Sequence, residues 1–513
     1  MNRKLVPKPL RIRLCPALSR EIPSSECATH RIARYQCPEE CVHHAFGSAR
    51  YFDFLKIEGA LDIKLVRRLR SDRVLRWRVE REFFGGSGLE DESSLAARAM
   101  RMIFLDRDEA GRSLVDRWLE DGAPELSGDE RTLLGCRRQV RPSLLEIRRI
   151  FDGETWEAVD LLDANPRPLL FKDRGMAAAA VRFLSLLTWI YPAPFFWRPH
   201  GNASVVSGMG DLDPREAMVE IVRHLGGPEA DEPARAWLTE NFTRVEAAFS
   251  AVRAAGSQAM LASMQLDWCR AEYEFTGEPE EVKAALSSIE ELYPEPPEPK
   301  ERRRGITAAA TWVEDAHDAL PGLPENSGES LGRVLFKGAG CRLEAMGGSR
   351  MLRLRQRFED RMRGLVRFRK ESREDLRDKI GPPSVPYDRS LVPPALLRHP
   401  PEVETSMSRV MIPAGTQSLE QLEAEVRRNM DRGWLDSSIP ALEGATPRQA
   451  ASDPRLRSAL LSLLKHRVRA SDQRWRDEGV YEDVTWMLEE LGTTEILVDP
   501  PGTLRGREMP GRG

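Results

Sequence analysis

The spacing of apolar residues changes several times along the chain, and each change predicts a different kind of element. Between residues 51 and 141 apolar positions recur at helical spacing with charges between them, which predicts helices. Between 142 and 206 short apolar runs are broken by prolines and by the turn pair Asp152-Gly153, a pattern typical of a small β-barrel-like module. Helical spacing returns from 207 to 292. We therefore expect an α+β, mainly helical multidomain fold.

The second half of the chain alternates proline-rich segments with two structured modules. Residues 331–380 predict a strand, a Gly turn, a second strand and an Arg-rich helix, which together make a β-hairpin-plus-helix module. Farther along, Thr446 and Gln449 form a capping box and Pro447 takes the first helical position, so a C-terminal helical bundle is expected. The predicted domains are a cysteine cluster (1–50), a helical region (51–141), the barrel-like module (142–206), a helical region (207–292), a linker and helix (293–330), the hairpin-plus-helix module (331–380), a proline-rich linker (381–403), the C-terminal bundle (404–498) and a disordered tail (499–513).

Composition indicates a large, charge-rich globular protein. The 513 residues are 41% hydrophobic and 31% charged, which is enough for several domains with cores of their own. The net charge of −4 argues against polyanion binding by the molecule as a whole. Locally, residues 1–81 carry 18 Lys and Arg against 9 Asp and Glu, and residues 350–379 carry 12 against 6. Such runs are commonly solvated helix faces, and nucleic-acid binding is the alternative.

The chain has no sequence signal for a membrane or for secretion. No segment approaches the run of about 20 apolar residues that a membrane span requires. The N-terminal residues are basic but lack the apolar core and cleavage site of a signal peptide. Seven cysteines, an odd number, fit a reducing compartment better than a disulfide framework. We therefore expect a cytoplasmic protein without a membrane partner.

Four of the seven cysteines lie close together near the N-terminus: Cys15, Cys27, Cys37 and Cys41. This density of thiols is typical of tetrahedral zinc. The nearby histidines, which could replace a thiol in a mixed site, are His30, His43 and His44. A cluster without metal is the third alternative. If zinc is bound, a shell of four protein ligands leaves no position for substrate, so the role of the metal would be structural.

The same segment resembles a known N-terminal pattern. The stretch "CPALSREIPSSECATHRIARYQCPEECVHHAFGSARYF" is similar to the N-terminal segment of a group of uncharacterised bacterial and archaeal proteins, in which CPxL is followed by IC, a tandem cysteine pair, an arginine and CPxxC. Here Arg31 matches the arginine, while Pro23 and Glu26 stand where two cysteines belong, and the closing pair is one residue wider. The resemblance implies a single zinc held by the four cysteines.

A second resemblance covers about 50 residues of the C-terminal bundle. The segment "WLDSSIPALEGATPRQA" is similar to the toxin-binding domain at the C-terminus of Xre/MbcA/ParS-type antitoxins, although no DNA-binding helix-turn-helix is evident before it. The resemblance implies a protein partner, such as a toxin. The residues that it implies for partner binding are Trp434, Leu442, Gly444, Thr446, Pro447 and Arg448.

No motif in the chain names a reaction. The sequence lacks GxxxxGK[ST], HExxH, GxSxG and a GxGxxG that follows a strand, so no catalytic residue is predicted. A non-enzymatic interaction protein, zinc-stabilised at one end and partner-binding at the other, is the favoured interpretation. The alternatives are a nucleic-acid-binding regulator that uses the basic N-terminus and the Arg-rich helix 350–379, and an enzyme of unrecognised type.

Overall fold

Helices and sheets are both extensive, so the fold is α+β. The computed structural model describes residues 11–81, 98–207, 212–228, 235–315, 327–380, 386–397, 408–410, 419–480 and 482–498. The predicted tail 499–513 lies outside these residues. The chain divides into two compact units, residues 1–249 with 461–513, and residues 250–460. The expectation of a mainly helical fold is not confirmed, because each unit contains a substantial sheet.

The elements are numbered in chain order. The strands are β1 (Ile12–Cys15), β2 (Arg20–Pro23), β3 (Arg141–Ile150), β4 (Thr155–Asp160), β5 (Pro168–Lys172), β6 (Ser185–Pro192), β7 (Trp197–Val205), β8 (Asp267–Phe275), β9 (Leu292–Glu295), β10 (Ala308–Asp315), β11 (Ser327–Lys337), β12 (Gly340–Met346), β13 (Val366–Asp375) and β14 (Ser408–Val410). The helices are α1 (Ser24–His30), α2 (Tyr51–Ser71), α3 (Arg76–Val79), α4 (Leu114–Glu120), α5 (Gly128–Arg137), α6 (Arg174–Ala179), α7 (Pro214–His224), α8 (Arg235–Ser263), α9 (Pro279–Ser287), α10 (Pro299–Arg303), α11 (Gly348–Arg361), α12 (Arg377–Ile380), α13 (Leu419–Leu435), α14 (Pro447–Ser452), α15 (Arg457–Glu478) and α16 (Thr485–Glu490).

In the first unit, five strands close into a barrel in the order β3-β4-β5-β7-β6. The β3–β4 hairpin turns at Asp152, whose side-chain Oδ1 accepts the backbone N–H groups of Glu154 and Thr155 at 2.8 and 2.7 Å. One parallel bridge between Phe171 and Trp197 joins β5 to β7 and closes the barrel. Inside, the ring of Trp156 stacks on that of Phe171 with centroids 4.2 Å apart, so aromatic side chains fill the core.

The C-terminal part of the chain also packs on this barrel. Arg182 and Asp472 form a buried ion pair, and the Lys465 ammonium lies 2.9 Å from a carboxylate oxygen of the buried Glu146. Residues from 461 onward therefore belong to the first unit, whereas 404–460 fall in the second. The predicted bundle 404–498 is thus divided between the two units, because buried charges anchor its long helix to the barrel.

The second unit is built on a seven-stranded sheet. Six strands follow the order β13-β8-β12-β11-β10-β9, and β14 pairs with β11. One face forms a core with α11, in which Leu354 and Phe358 are fully buried, and with α9 through Val282. The other face carries charged side chains such as Glu272 and Arg342, directly opposite each other on β8 and β12.

Two predicted boundaries differ from the structure in this unit. The region 207–292, predicted as helical, contains β8, because buried Cys269, Ala271 and Tyr273 alternate with more exposed polar residues at the period of a strand. The region 293–330, predicted as a linker and helix, contributes β9, β10 and the beginning of β11 to the sheet. Their backbone groups are satisfied by pairing with neighbouring strands, and a proline in the edge strand β9 does not interrupt this.

The predicted Arg-rich helix 350–379 is also shorter than expected. The helix α11 ends at Arg361, and Gly364 with φ +81° begins the turn into β13. Residues 366–375 then pair along the whole of β8. No helix within the described part of the chain is both long and apolar enough to cross a membrane.

Candidate functional site

The cysteine segment folds as a small hairpin followed by one helix and a series of turns. Cys15 ends β1, immediately before the turn into β2, and Cys27 lies in α1. The residues after α1 form turns, in which the backbone N–H of Cys37 bonds to Tyr35 O and that of Cys41 to Pro38 O. The hairpin, helix and turns thus bring residues from 15 to 41 into one compact segment.

The four cysteines of this segment differ in burial. Cys15 and Cys27 pack in a small core with Ile22, Cys41 is buried, and all four are free thiols. Burial raises the pKa of Cys37, the charges of the other three thiols raise it further, and a hydrogen bond from the backbone N–H of Ile32 to its Sγ (3.5 Å) acts in the opposite direction. The electrostatic influence of the other three thiols reaches Cys37, and a common metal site for the four stays a prediction.

The donor chemistry of this segment suits zinc, but the side chains are not set as a ligand shell. Among the described residues, no three His, Cys, Asp or Glu groups are placed to hold one metal ion. Of the three candidate histidines, His44 has both ring nitrogens engaged: Nε2 lies 2.8 Å from Pro38 O, and Nδ1 accepts the N–H of Phe46 at 3.1 Å. A mixed site would therefore have to use His30 or His43, and zinc itself stays a prediction.

Arg31, the arginine of the resemblance, ties this segment to the rest of the first unit. Its Nε donates to Asp129 Oδ1 at 2.6 Å, a second N–H donates to the other carboxylate oxygen, and a third to the carbonyl of His43. Asp129 lies in the first turn of α5, where an acidic side chain is favourable. The backbones of α1 and α5 also lie close together here, because a Cβ added to Gly128 would be 2.4 Å from the carbonyl oxygen of Ala28. The sequence resemblance includes Arg31, but no nearby sequence feature indicates that its partner is Asp129.

In the second unit, the segment between α13 and α14 forms a loop closed by its own hydrogen bonds. The backbone N–H of Ile439 donates to Ala445 O, and the N–H of Gly444 donates back to Ile439 O, each at 3.1 Å. The hydroxyl of Ser438 donates to Gly444 O at 2.6 Å. At the tip, Glu443 and Gly444 both have positive φ, 55° and 85°. We call residues 434–448 the partner loop.

The structure places the six predicted partner-binding residues in different environments. Leu442 is fully buried and Pro447 is buried, so these two side chains hold the loop in place and do not face solvent. Trp434 is half-buried, and Thr446 caps α14 by accepting the N–H of Gln449 at 3.2 Å, as the capping box predicted. The two that are exposed are Gly444 and Arg448.

Arg448 joins the two ends of the partner loop. Its Nε lies 2.8 Å from Asp436 Oδ1, and both side chains are substantially exposed. The exposed residues of the loop are Asp436, Ser438, Pro440, Glu443, Gly444 and Arg448, and Leu442 is its buried anchor.

Every cation of the second basic run lies beside a carboxylate, and several carboxylates serve two cations. Each of its twelve Lys and Arg side chains lies within ion-pair distance of a carboxylate, and most of these carboxylates lie on neighbouring strands. The cations are Arg350, Arg353, Arg355, Arg357, Arg361, Arg363, Arg367, Arg369, Lys370, Arg373, Arg377 and Lys379. Their charges are thus used to hold the sheet together, which removes the main argument for a phosphate-binding stripe along residues 350–379.

A buried polar network in the first unit is the other group of charges that the sequence did not predict. Glu58 on α2 accepts Tyr191 Oη–H at 2.6 Å and Arg198 Nη2–H at 2.7 Å, and it also pairs with Arg137. Burial alone would raise the pKa of Glu58, but Arg198 and Arg137 outweigh it and lower that pKa. These contacts fasten α2 to the barrel strands β6 and β7, which carry Tyr191 and Arg198.

Comparison of the chain with protein-family models, with curated proteins and with solved structures finds no match.

Proposed function

We propose that this chain is a non-enzymatic interaction protein that binds a protein partner, such as a toxin, through the partner loop. A structural zinc held by Cys15, Cys27, Cys37 and Cys41 would stabilise its N-terminal segment. The observation that carries the proposal is the partner loop itself: an exposed tip held in one shape by hydrogen bonds within the loop.

A rigid exposed loop favours recognition because it is already ordered in the free protein, so binding costs less conformational entropy. Glu443 has φ 55°, a left-handed conformation that costs a non-glycine residue about 1–3 kcal/mol. A glycine adopts a left-handed conformation at less cost, as Gly444 does at the next position. A loop that only connected α13 to α14 could avoid the strain at Glu443 with a glycine there. Backbone strain of this kind is often kept where a surface has a function.

The surroundings of the tip fit a protein partner. Leu442 is fully buried directly before the tip, so the loop backbone has a fixed base. The exposed side chains around it carry both signs of charge, with Asp436 and Glu443 against Arg448. Mixed charges at a rim give specificity and orientation to a protein complex more than affinity. The resemblance to the toxin-binding domain assigns the same stretch to partner binding.

The test is charge reversal at Arg448 with a matched control. Arg448→Glu changes the partner loop, whereas Arg455→Glu reverses a more exposed arginine outside it (82% against 42% for Arg448) that pairs with Asp453 at 2.8 Å. Each exposed ion pair contributes less than about 1 kcal/mol to stability, so both variants should fold. The partner is isolated by affinity capture on the wild-type chain, and its Kd for both variants is then measured with purified components.

We expect Arg448→Glu to weaken partner binding at least about tenfold, equivalent to about 1.4 kcal/mol. Arg455→Glu should bind like the wild type. Equal affinity of both variants, with a partner that also binds a chain lacking residues 434–448, would show that the partner binds elsewhere.

A further inference from the structure

A short basic segment in the second unit has charges that remain unpaired. The four cations of α10 and the residue after it are Lys300, Arg302, Arg303 and Arg304, all exposed. None of them forms an ion pair with any residue that the structure describes. The contacts of Arg302 and Arg303 are neutral, from Nε to the carbonyls of Pro297 and Pro299. This is the reverse of residues 350–379, where every cation has a carboxylate.

A fifth unpaired cation joins this segment from the neighbouring strand. Lys337 ends β11 and is exposed, and its Cε lies 3.4 Å from the position of a Cβ on Gly305, directly after Arg304. Arg304 and Lys337 line a cavity of about 410 Å³ together with Arg342 and Glu272. We call Lys300, Arg302, Arg303, Arg304 and Lys337 the basic patch.

Two carboxylates near the basic patch have cationic partners of their own, whereas the exposed Glu298 has no ion pair among the described residues. Glu301, between Lys300 and Arg302, accepts two N–H groups of Arg333 at 2.6 and 3.2 Å. In the cavity wall, Glu272 lies 3.3 Å from Lys370.

Arg342 has its own partner in Glu344, at 2.8 Å. Among the described residues, Glu295 and Glu301 share the single charge of Arg333 and Glu298 is unpaired, so the patch with these neighbours keeps a net charge of about +3. Within the cavity, Arg304 and Lys337 are the cations without a described carboxylate partner.

We propose that the basic patch binds the phosphate backbone of a nucleic acid without reading its sequence. Exposed Lys and Arg side chains are the usual ligands of phosphate oxygens, and two of these five, Arg304 and Lys337, line one cavity. A protein partner is less well suited, since the cores of protein interfaces are depleted in charged residues and the patch consists of charged residues alone. Among the residues that line the cavity, Ile306 and Cys341 are buried, and Arg304, Lys337, Arg342 and Glu272 contribute charged side chains to its wall.

The proposal is tested by the salt dependence of DNA binding. Binding of the full-length chain to a 20–30 base-pair duplex, a length of about two to three helical turns, is measured by fluorescence anisotropy between 50 and 200 mM salt. With five phosphate contacts, log Kobs should fall against log salt with a slope of about −4.5. The variant Arg302→Ala/Arg303→Ala/Arg304→Ala/Lys337→Ala should lose about 4 units of this slope.

The matched control removes four paired arginines from the second basic run. Arg363→Ala/Arg367→Ala/Arg369→Ala/Arg377→Ala changes the net charge by the same amount, but each of these side chains already has a carboxylate partner. We expect its slope to stay within about one unit of the wild type. Replacing Arg302, Arg303 and Arg304 by lysine keeps the charge and should preserve binding, which separates loss of charge from misfolding.

Three outcomes would overturn the proposal. The first is a wild-type chain that does not bind the duplex at 50 mM salt. The second is an equal loss of slope in the patch variant and its control, since net charge alone would then explain binding. The third is poly-glutamate that competes as well as DNA at equal charge concentration, which would assign the patch to an acidic protein.

Discussion

The ion pair between Arg182 and Asp472 allows the most direct test of what holds α15 against the barrel. The side chains are 3% and 2% exposed, and the guanidinium meets the carboxylate through two N–H groups, Nε to Oδ2 at 2.9 Å and Nη2 to Oδ1 at 2.8 Å. The backbone N–H of Arg182 also donates to Oδ2 at 3.0 Å. In Asp472→Ala, three donors and a buried positive charge lose this acceptor, while the bond from Nη1 to Val498 O at 2.8 Å is kept.

The expected cost is large because the remaining charge stays buried. Breaking a buried pair by removing one partner costs about 3–5 kcal/mol, since the other charge is left uncompensated. The control Asp477→Ala lies on the same helix and breaks an exposed pair with Arg476. Exposed pairs contribute less than about 1 kcal/mol, so the two variants should differ by at least about 2 kcal/mol.

Native-state hydrogen exchange of the barrel strands is the suitable assay, because it reports the first unit separately from the second. At 1.4 kcal/mol per tenfold change, the slowest barrel amides should exchange about 10²–10³ times faster in Asp472→Ala. The double variant Arg182→Met/Asp472→Leu should recover most of the protection, because it leaves no unpaired charge. If Asp472→Ala exchanged no faster than Asp477→Ala, the anchoring of the helix by this pair would be refuted.

Three further predictions concern the zinc, the buried network and the partner loop. Elemental analysis of the purified protein should find about one zinc per chain, and the variant Cys37→Ser/Cys41→Ser should contain none. A wild-type protein without metal would contradict the proposed structural zinc. Folding lowers the pKa of Glu58, so its carboxylate stabilises the fold above the unfolded-state pKa, and this stabilisation is lost as the pH falls through the folded-state pKa. Glu58→Gln should therefore lower the free energy of unfolding by about 3 kcal/mol at pH 7 and make it less dependent on pH in the acid range. Gly444→Ala should cost about 1–2 kcal/mol in urea denaturation, because φ is 85° while the nearest atom to the added methyl is 3.6 Å away, and no change would contradict this reasoning.

The features of the fold that depend on a few adjacent residues could be predicted from the sequence. The capping box of Thr446 and Gln449 starts α14, and the turn at Asp152 joins β3 to β4. In both, the side chain bonds to a backbone N–H two or three residues away, so the signal and the structure lie in the same short window. The apolar runs of 142–206 likewise correspond to strands, although the parallel bridge that closes the barrel is not visible in them.

The large sheet was missed because its pairings are distant in sequence. The strand β8 alternates buried and half-buried residues, but it follows the helix α8 closely, and its partners β12 and β13 come about 70 and 100 residues later. Short strands are stabilised by their neighbours more than by their own propensity. The alternation of buried residues in β8 is visible in the sequence, but it specifies a strand only when β12 and β13 are there to pair with it.

Charge shows most clearly why the candidate sites could be predicted only in part. Counted along the chain, residues 350–379 carry twelve cations and residues 300–304 only four, so the sequence points to the longer run. Folding reverses the order, since the strands β8 and β13 place Glu274 beside Arg367 and Arg369, while Glu301 turns to Arg333 and leaves its neighbours unpaired. The field at a surface depends on cations that have no carboxylate nearby, not on their total. That pairing is set by sheet register, which is a property of the whole fold, and a search for phosphate-binding surfaces in this chain must therefore begin at the end of α10.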